Sequence, residues 1–326
     1  MTATTSQTNA RNAAFAGVLQ RQGAAVVLVL GIFASWFAFP HFGTADNLRS
    51  LVLQGSFLAV IALGMTFVII SGGIDLSVGS NYALGGVLAA YGAQYGLFVA
   101  ILLPLVVCSG IGLINGLLIA RTGLAPFIVT LATLLFARGL LLALTSEGAT
   151  TYKVDPGSAF LWLGQGTIFG VGVPVYLTLV LFALGGLLLR RTRFGQSVFA
   201  IGGAEQSALL MGLPVARTKI SLYTLSGALA GFAGVLTAAY LQSGVTVIGV
   251  GTELDAISVV VIGGTLLTGG AGTIIGTLVG VLLRTLIQNV INQIGTLDSN
   301  YQTVVSGAFL LVVVVIQRLL ARSRTR

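Results

Sequence analysis

The sequence predicts an all-α protein that crosses a membrane many times. Of its 326 residues, 56% are hydrophobic and only 7% are charged, and the mean hydropathy is +1.02. A soluble fold cannot bury that much apolar surface, whereas lipid can face it. The 45 glycines suit helices that pack closely through small residues. These observations together indicate a polytopic integral membrane protein.

Apolar segments of the required length recur along the chain. A transmembrane helix needs about 20 mostly apolar residues. Ten segments come close to that length, which predicts about ten transmembrane helices. They lie near 24–40, 50–70, 76–93, 98–119, 124–144, 173–189, 219–241, 253–268, 272–294 and 301–318. We therefore expect one transmembrane domain over 24–320, with a polar tail at 1–23 and a short tail at 321–326.

The basic residues predict the orientation of these segments, because cytoplasmic loops carry an excess of Lys and Arg. With the N-terminus in the cytoplasm, 12 of the 16 basic residues fall on the cytoplasmic side. This pattern places both termini inside, the longest inner loop at 190–218 and the longest outer loop at about 146–172. It also explains the net charge of +8 better than a nucleic-acid-binding face, because the basic residues lie at the segment ends.

The stretch Val68–Ser80 predicts a break between the second and third helices. Its glycines permit backbone angles that a β-carbon would forbid, and other residues in it favour helix starts. The glycines are Gly72, Gly73 and Gly79, and the helix-starting residues are Asp75, Ser77 and Ser80. We expect one helix to end near Ser71 and the next to begin near Asp75. Such a break is tolerated in a membrane only where protein or a water-filled cavity surrounds it.

A second stretch repeats this pattern later in the chain. Gly72-Gly73-x-x-x-Ser77-x-Gly79 matches Gly263-Gly264-x-x-x-Thr268-x-Gly270 at a constant offset of 191 residues. A chance match is the alternative in a chain so rich in glycine. If the echo is real, two broken helices occupy corresponding positions, which is typical of a transport pathway.

Several polar residues are predicted at membrane depth. Asp75 either caps the third helix or presents its charge to a solute, and we favour the cap. The candidates for lining a substrate pathway are Asp75, Ser77, Asn81, Asn115 and Asn289. For the asparagines the alternative is hydrogen bonding between helices. Arg138 and Arg284 also fall within predicted segments, so each should face protein, water or an acidic partner.

The inner loop 190–218 contains a short predicted helix at Ala204–Met211. Gly203 precedes it, Glu205 lies where the helix dipole favours a negative charge, and Gly212 ends it. A helix of two turns is not stable alone in water. Its apolar residues must therefore pack against the protein's own helices, the bilayer surface or a partner. These residues are Leu209, Leu210 and Met211.

Three stretches of the chain carry a recognisable pattern. They are Gly64-Met65-Thr66 running into Val68–Ser80, then Arg193-Phe194-Gly195 with Ala200–Gly203 and Ala208–Gly212, and finally Glu253–Ile257 with Val261–Thr265. Together they resemble the ribose-type monosaccharide permeases of bacterial ABC importers, over about residues 24 to 320. The late stretch is most similar to permeases for galactofuranose-type sugars.

The resemblance implies a set of partners and an inner-membrane location. In such importers a soluble binding protein delivers a monosaccharide from outside. Two permease chains, identical or related, form the channel, and a cytoplasmic ATPase drives the cycle. By the same resemblance, part of the inner loop would dock on the ATPase. These coupling residues are Gly203, Glu205, Ala208, Leu209, Leu210, Met211 and Gly212.

No catalytic, metal-binding or cofactor-binding residue is predicted in this chain. A phosphate-binding loop would need a lysine after a glycine, and neither Lys153 nor Lys219 follows one. ATP hydrolysis is therefore expected on the separate ATPase chain. The lone His41 has no evident catalytic partner. An ion-coupled secondary transporter stays open as the alternative, with Asp75 its only candidate acid, and the sequence does not identify the sugar.

Overall fold

The computed structural model describes residues 23–294 and, beyond them, positions 304, 307, 308, 311 and 315. The predicted tails lie outside the described residues, apart from Gly23 in the first of them. Most of the tenth predicted segment, at 301–318, also lies outside them.

The described chain is a bundle of helices joined by short turns. The helices are α1 (Gly23–Ala38), α2 (Ala45–Ile70), α3 (Val78–Gly92), α4 (Leu97–Thr122), α5 (Pro126–Leu144), α6 (Trp162–Gln165), α7 (Val173–Arg191), α8 (Arg193–Gly203), α9 (Glu205–Leu210), α10 (Val215–Leu241), α11 (Thr252–Ile262) and α12 (Ile274–Ile294). One antiparallel hairpin joins β1 (Thr167–Ile168) to β2 (Val171–Gly172). The predicted all-α class is confirmed.

Six of these helices are long and apolar enough to cross a membrane, namely α2, α4, α5, α7, α10 and α12. Each of the other predicted segments within residues 23–294 contains a shorter helix. Helix α3 has 15 residues and α11 has 11, and both are shorter than the roughly 20 that a full span requires. The described residues therefore do not confirm about ten complete spanning helices.

The first predicted break lies where the sequence places it. Helix α2 ends at Ile70 with Ser71 as its C-cap, and α3 begins at Val78 with Ser77 as its N-cap. The predicted capping role of Asp75 is wrong. Its carboxylate instead closes a turn ahead of the helix, because Asp75 Oδ1 accepts from the backbone N–H of Ser77 at 3.0 Å.

The structure contains the second helix break that the repeated glycine pattern implied. The segment predicted at 253–268 is helical only to Ile262, and the next helix begins at Ile274. Gly264, Gly269 and Gly270 in the connection have φ angles of +91°, +84° and +76°. These left-handed angles favour glycine and cannot continue a right-handed helix.

Helix α10 lies at the centre of the bundle, against α2, α3 and α4. Its contact with α4 is close because Gly112 and Gly116 face the backbone of Tyr223 and Ile220, where a β-carbon would clash. Small residues at such crossings allow two backbones to approach in a membrane. Helix α5 lies at the periphery, where an apolar surface suits contact with lipid.

The bundle has two ends, which we name the α8 end and the hairpin end. The α8 end carries α8 and α9, and α7 connects it to the β1–β2 hairpin at the opposite end. At the hairpin end, Lys153 pairs with Ser243 in an isolated β-bridge.

Both arginines predicted within the membrane have protein partners. Arg284 of α12 forms an ion pair with Asp255 of α11. The Arg138 guanidinium of α5 donates to the Ile248 carbonyl oxygen at 3.0 Å. In apolar surroundings a charged arginine side chain needs such a hydrogen-bonding or acidic partner.

Candidate functional site

The break between α2 and α3 holds a buried polar cluster. Its members are Asp75 and Ser77 in the connecting segment, Asn81 in the first turn of α3, Asn115 of α4 and Ser226 of α10. All five side chains are buried against the surrounding helices. Four of the five predicted pathway residues are thus brought together, at the point where the chain leaves one helix and enters the next.

Ser77 is the residue that links this buried polar cluster. Its hydroxyl donates to Asp75 Oδ1 at 2.6 Å and accepts from Asn115 Nδ2 at 3.1 Å. It also accepts a longer bond from Asn81 Nδ2, at 3.4 Å. One donor and two acceptor positions are all that a serine hydroxyl offers. Ser77 therefore links the side chains of Asp75 in the turn, Asn81 of α3 and Asn115 of α4.

The cluster also holds polar atoms without a hydrogen-bond partner among the described residues. They are Asp75 Oδ2, Asn81 Oδ1, Asn115 Oδ1 and Ser226 Oγ. Buried polar atoms are nearly always paired, so Asn81 Oδ1 and Asn115 Oδ1 are available hydrogen-bonding positions, whereas the Ser226 hydroxyl lies close enough to interact with the Asp75 carboxylate. A solute that donates hydroxyl hydrogens is the chemical match for such oxygens. Because the cluster is closed to solvent, a solute would reach it only after neighbouring helices had moved apart.

Asn289, the fifth predicted pathway residue, lies elsewhere in the bundle. Its side-chain amide donates to Asn47 Oδ1 at 2.7 Å, and Asn47 Nδ2 donates to Asn289 Oδ1 at 3.3 Å. This pair joins α12 to the start of α2, and Gln293 donates to the same Asn289 oxygen at 2.9 Å. Hydrogen bonding between helices accounts for Asn289.

Sequence reasoning did not identify Ser226. Its only signal is a hydroxyl within an apolar, glycine-rich helix, and such hydroxyls commonly bond to their own helix. The structure places it beside Asp75 because α10 packs at the break between α2 and α3. That proximity depends on tertiary packing alone.

A second candidate site is helix α9, at the α8 end. The predicted short helix at Ala204–Met211 is confirmed to within one residue at each of its ends. Leu209, Leu210 and Met211 are exposed, with Leu210 at 88%, so no described helix covers them. We name these three residues the apolar tip.

The remainder of α9 is anchored to the bundle. Ala208 is buried in a small apolar cluster with Ile201 of α8 and Val215 of α10. Glu205 forms an ion pair with Lys219 of α10, with Oε1 and Nζ 2.5 Å apart. Gly212 ends the segment at a φ of +76°. The helix is thus fixed on one side and presents the apolar tip on the other.

Helix α8 corrects the prediction of a loop over 190–218. Thr192 caps the helix by accepting from the Gly195 N–H at 3.2 Å. Phe194, Val198 and Ile201 lie at helical spacing and pack inward. That spacing was the available signal, and the continuous apolar run Val198–Ile201 followed by two glycines concealed it.

Residues 47–314 match a family model described as the permease component of the branched-chain amino acid transport system. The chain is 42% identical over 299 residues to the inner membrane ABC transporter permease protein YjfF of Escherichia coli (strain K12), a match that covers 90% of this chain and 89% of that protein.

Two further relatives are named for sugars. The ribose import permease protein RbsC of Bacillus subtilis (strain 168) is 39% identical, over 96% of this chain and 97% of that protein. The L-arabinose ABC transporter permease protein AraH of Azospirillum brasilense is 36% identical, over 91% and 87%. No solved structure matches the chain. The chain therefore belongs to the family of permease components that includes the ribose-type permeases of ABC importers.

Proposed function

We propose that this permease subunit carries a monosaccharide inward across the bacterial inner membrane, in an importer powered by a separate ATPase. The observation that carries the proposal is the likeness over nearly the full length of both chains to a ribose import permease. The chain is a transport subunit, as these relatives are, and not an enzyme. Their names support this function over that of an ion-coupled secondary transporter.

The chemistry of the buried polar cluster supports a sugar over an amino acid. The family description names branched-chain amino acids, which carry an ammonium group and a carboxylate. A site for such a zwitterion needs a partner for each charge, and the cluster contains no basic side chain, only the N-terminal end of α3 as a source of positive potential. The cluster offers one carboxylate, two amides and two hydroxyls. Those groups suit a neutral solute rich in hydroxyls.

Helix α9 is the proposed docking element for the ATPase. An apolar tip on an anchored helix exposes surface that a partner protein can bury, at about 25 cal/mol per Å². The anchoring of α9 through Ala208 and Glu205 means that a force on the tip reaches α8 and α10. This end would then be cytoplasmic, as the positions of the basic residues predict.

The hairpin end is the proposed surface for the soluble binding protein. Phe169 at the tip of the β1–β2 hairpin is 97% exposed. Nearby, Lys153 and Asp155 line a surface cleft together with Gln94 and Gln242. Such a polar cleft beside an exposed aromatic side chain is typical of a protein-binding surface.

A second permease chain, identical or related, would complete the pathway. ATP binding at the α8 end would rearrange the bundle and open the buried polar cluster first to one side of the membrane and then to the other. This is alternating access around a central site.

Reconstitution tests the proposed function. The permease, its ATPase and its binding protein are placed in liposomes, and uptake of the labelled sugar that the binding protein selects is followed with and without ATP. We expect uptake that requires ATP and continues after ionophores have removed every ion gradient. Uptake that requires an ion gradient and ignores ATP would instead establish the secondary transporter.

The cargo is identified on the cognate binding protein. Thermal shift against pentoses, hexoses and branched-chain amino acids should select one sugar. Stabilisation by leucine or valine, with no response to any sugar, would contradict the proposed cargo.

A further inference from the structure

Helix α8 ends at a junction where both helix breaks meet. Gly270 N–H, in the connection between α11 and α12, donates to the Ile70 carbonyl oxygen at the end of α2, at 2.8 Å. The two breaks are therefore hydrogen-bonded to each other. Gly202, near the end of α8, lies against both partners of this bond.

The contact at Gly202 is made between backbones. A β-carbon at this position would overlap the Ile70 carbonyl oxygen and lie 2.5 Å from Gly270 N. The neighbouring Gly269, at a φ of +84°, is also tightly packed, since its β-carbon would lie 2.9 Å from both the Gly202 oxygen and Gly72 Cα. Only glycine allows three chain segments to approach in this way.

A continuous packed path leads from α9 to this junction. Ala208 of α9 packs with Ile201 of α8, which is the residue before Gly202. Val198 is buried in the main core, and the ring of Phe194 lies 6.4 Å from that of Phe67 on α2. Because closely packed interiors transmit displacement, α8 cannot shift without moving the end of α2.

We propose that Gly202 is the positioning residue through which a displacement of α9 reaches both helix breaks at once. Ile70 stands five residues before Asp75, so motion at the junction is delivered directly to the segment that closes the buried polar cluster. Gly270 carries the same motion to the ends of α11 and α12. This inference rests on the proposed function, because it requires an ATPase that acts on α9.

The test compares Gly202→Ala with Gly186→Ala in the reconstituted importer. A β-carbon at Gly186 of α7 meets nothing within 4 Å, so this variant controls for the loss of a helical glycine. We expect Gly202→Ala to retain the ATPase and its basal ATP hydrolysis, while sugar transported per ATP falls about tenfold, as coupling energies between sites allow. The Gly186→Ala importer should match the wild type.

If Gly202 had only a structural role, this experiment would give a different result. Gly202→Ala would then lower the melting temperature and the yield of complex, but the surviving importers would transport as much sugar per ATP as the wild type. That outcome overturns the proposal. If Gly202→Ala does not assemble, Gly270→Ala carries the test, because its β-carbon would lie 3.1 Å from Gly203 Cα rather than overlapping a backbone atom, and the melting temperature of the variant reports the added backbone strain at a φ of +76°.

Failure of this inference is distinguishable from failure of the proposed function. If the chain were not part of an ATP-driven importer, the wild type itself would show no ATP-dependent uptake. If only the inference were wrong, the wild type would be coupled and both Gly202→Ala and Gly270→Ala would transport as much sugar per ATP as it does.

Discussion

At the scale of single residues, Asp75 is the charged group within the buried polar cluster. Its Oδ1 accepts from both the N–H and the hydroxyl of Ser77, so the carboxylate has a structural role whether or not it meets a solute. Its Oδ2 accepts no hydrogen bond of ordinary length from the described residues, although the Ser226 hydroxyl lies beside the carboxylate. Substitutions at Asp75 can therefore separate its structural role in the turn from a role in transport.

Asp75→Asn should leave both stability and uptake close to wild type. The amide oxygen can accept the same two bonds from Ser77, and a neutral sugar needs no counter-charge. The measurements are thermal melting in detergent and sugar uptake in liposomes. A well-folded Asp75→Asn protein without transport would show that the charge itself acts on the solute.

Asp75→Ala is the matched contrast at this position. It removes the acceptor for two Ser77 donors, and leaving buried donors unpaired costs about 1–3 kcal/mol. We expect a lower melting temperature and a lower yield than for Asp75→Asn. Equal stability of the two variants would contradict the turn as the reason for an acceptor side chain at this position.

The ion pair between Arg284 and Asp255 makes a second prediction at this scale. Arg284→Gln leaves a largely buried carboxylate without its cation, and we expect a loss of about 1–3 kcal/mol, somewhat below the cost for a fully buried pair. Adding Asp255→Asn should restore part of the melting temperature. If the double variant is no more stable than Arg284→Gln, the two side chains do not stabilise each other.

At the scale of elements, α9 and α8 show two ways in which a sequence encodes a short helix. Glycines, an acidic first turn and a proline mark the ends of α9, so local signals were enough to place it. Helix α8 has a capping Thr192 and ends in two glycines, but it contains a glycine in its first turn, and its inward face is defined by the core it contacts. Helix α8, although longer than α9, was therefore the harder of the two to predict from the sequence.

Replacing Leu209 and Leu210 together with Asp should release the ATPase and leave the permease folded. Both side chains are exposed, and burying a leucine contributes about 1.5–3 kcal/mol, so the loss of two weakens binding about a hundredfold or more. Copurification and the elution volume of the permease on size exclusion measure the two effects. Replacing the same residues with Met keeps the apolar surface and should retain the ATPase, whereas intact binding by the Asp variant would refute docking at α9.

At the scale of the whole molecule, the proposed orientation places the α8 end in the cytoplasm and the hairpin end outside. Single cysteines at Leu210 and Phe169 test this, since both positions are exposed and Cys108, the native cysteine, is buried. In intact cells a membrane-impermeant maleimide should label Phe169→Cys. It should label Leu210→Cys only after the membrane is opened, and the opposite pattern would reverse the topology.

The sequence by itself determined the membrane class, the first helix break and the short helix α9. Hydropathy, glycine content and helix-ending residues are properties of neighbouring positions, so they can be read along the chain. The break near 72 was foreseen for this reason, as were the ends of α9. The break near 264 was predicted only if the repeated glycine pattern was more than a chance match, and it was the structure that decided this.

Only the tertiary structure decided which distant residues meet. Ser77 bonds to Asn115 while Asn289 pairs with Asn47, although all four are uncharged polar residues in apolar surroundings. Which residue each of them bonds to depends on which helices cross and on where along each helix the crossing lies. The packing of the whole bundle determines both. The junction at Gly202 has the same origin, because backbone contact between segments 68 to 200 residues apart leaves no trace in local pattern.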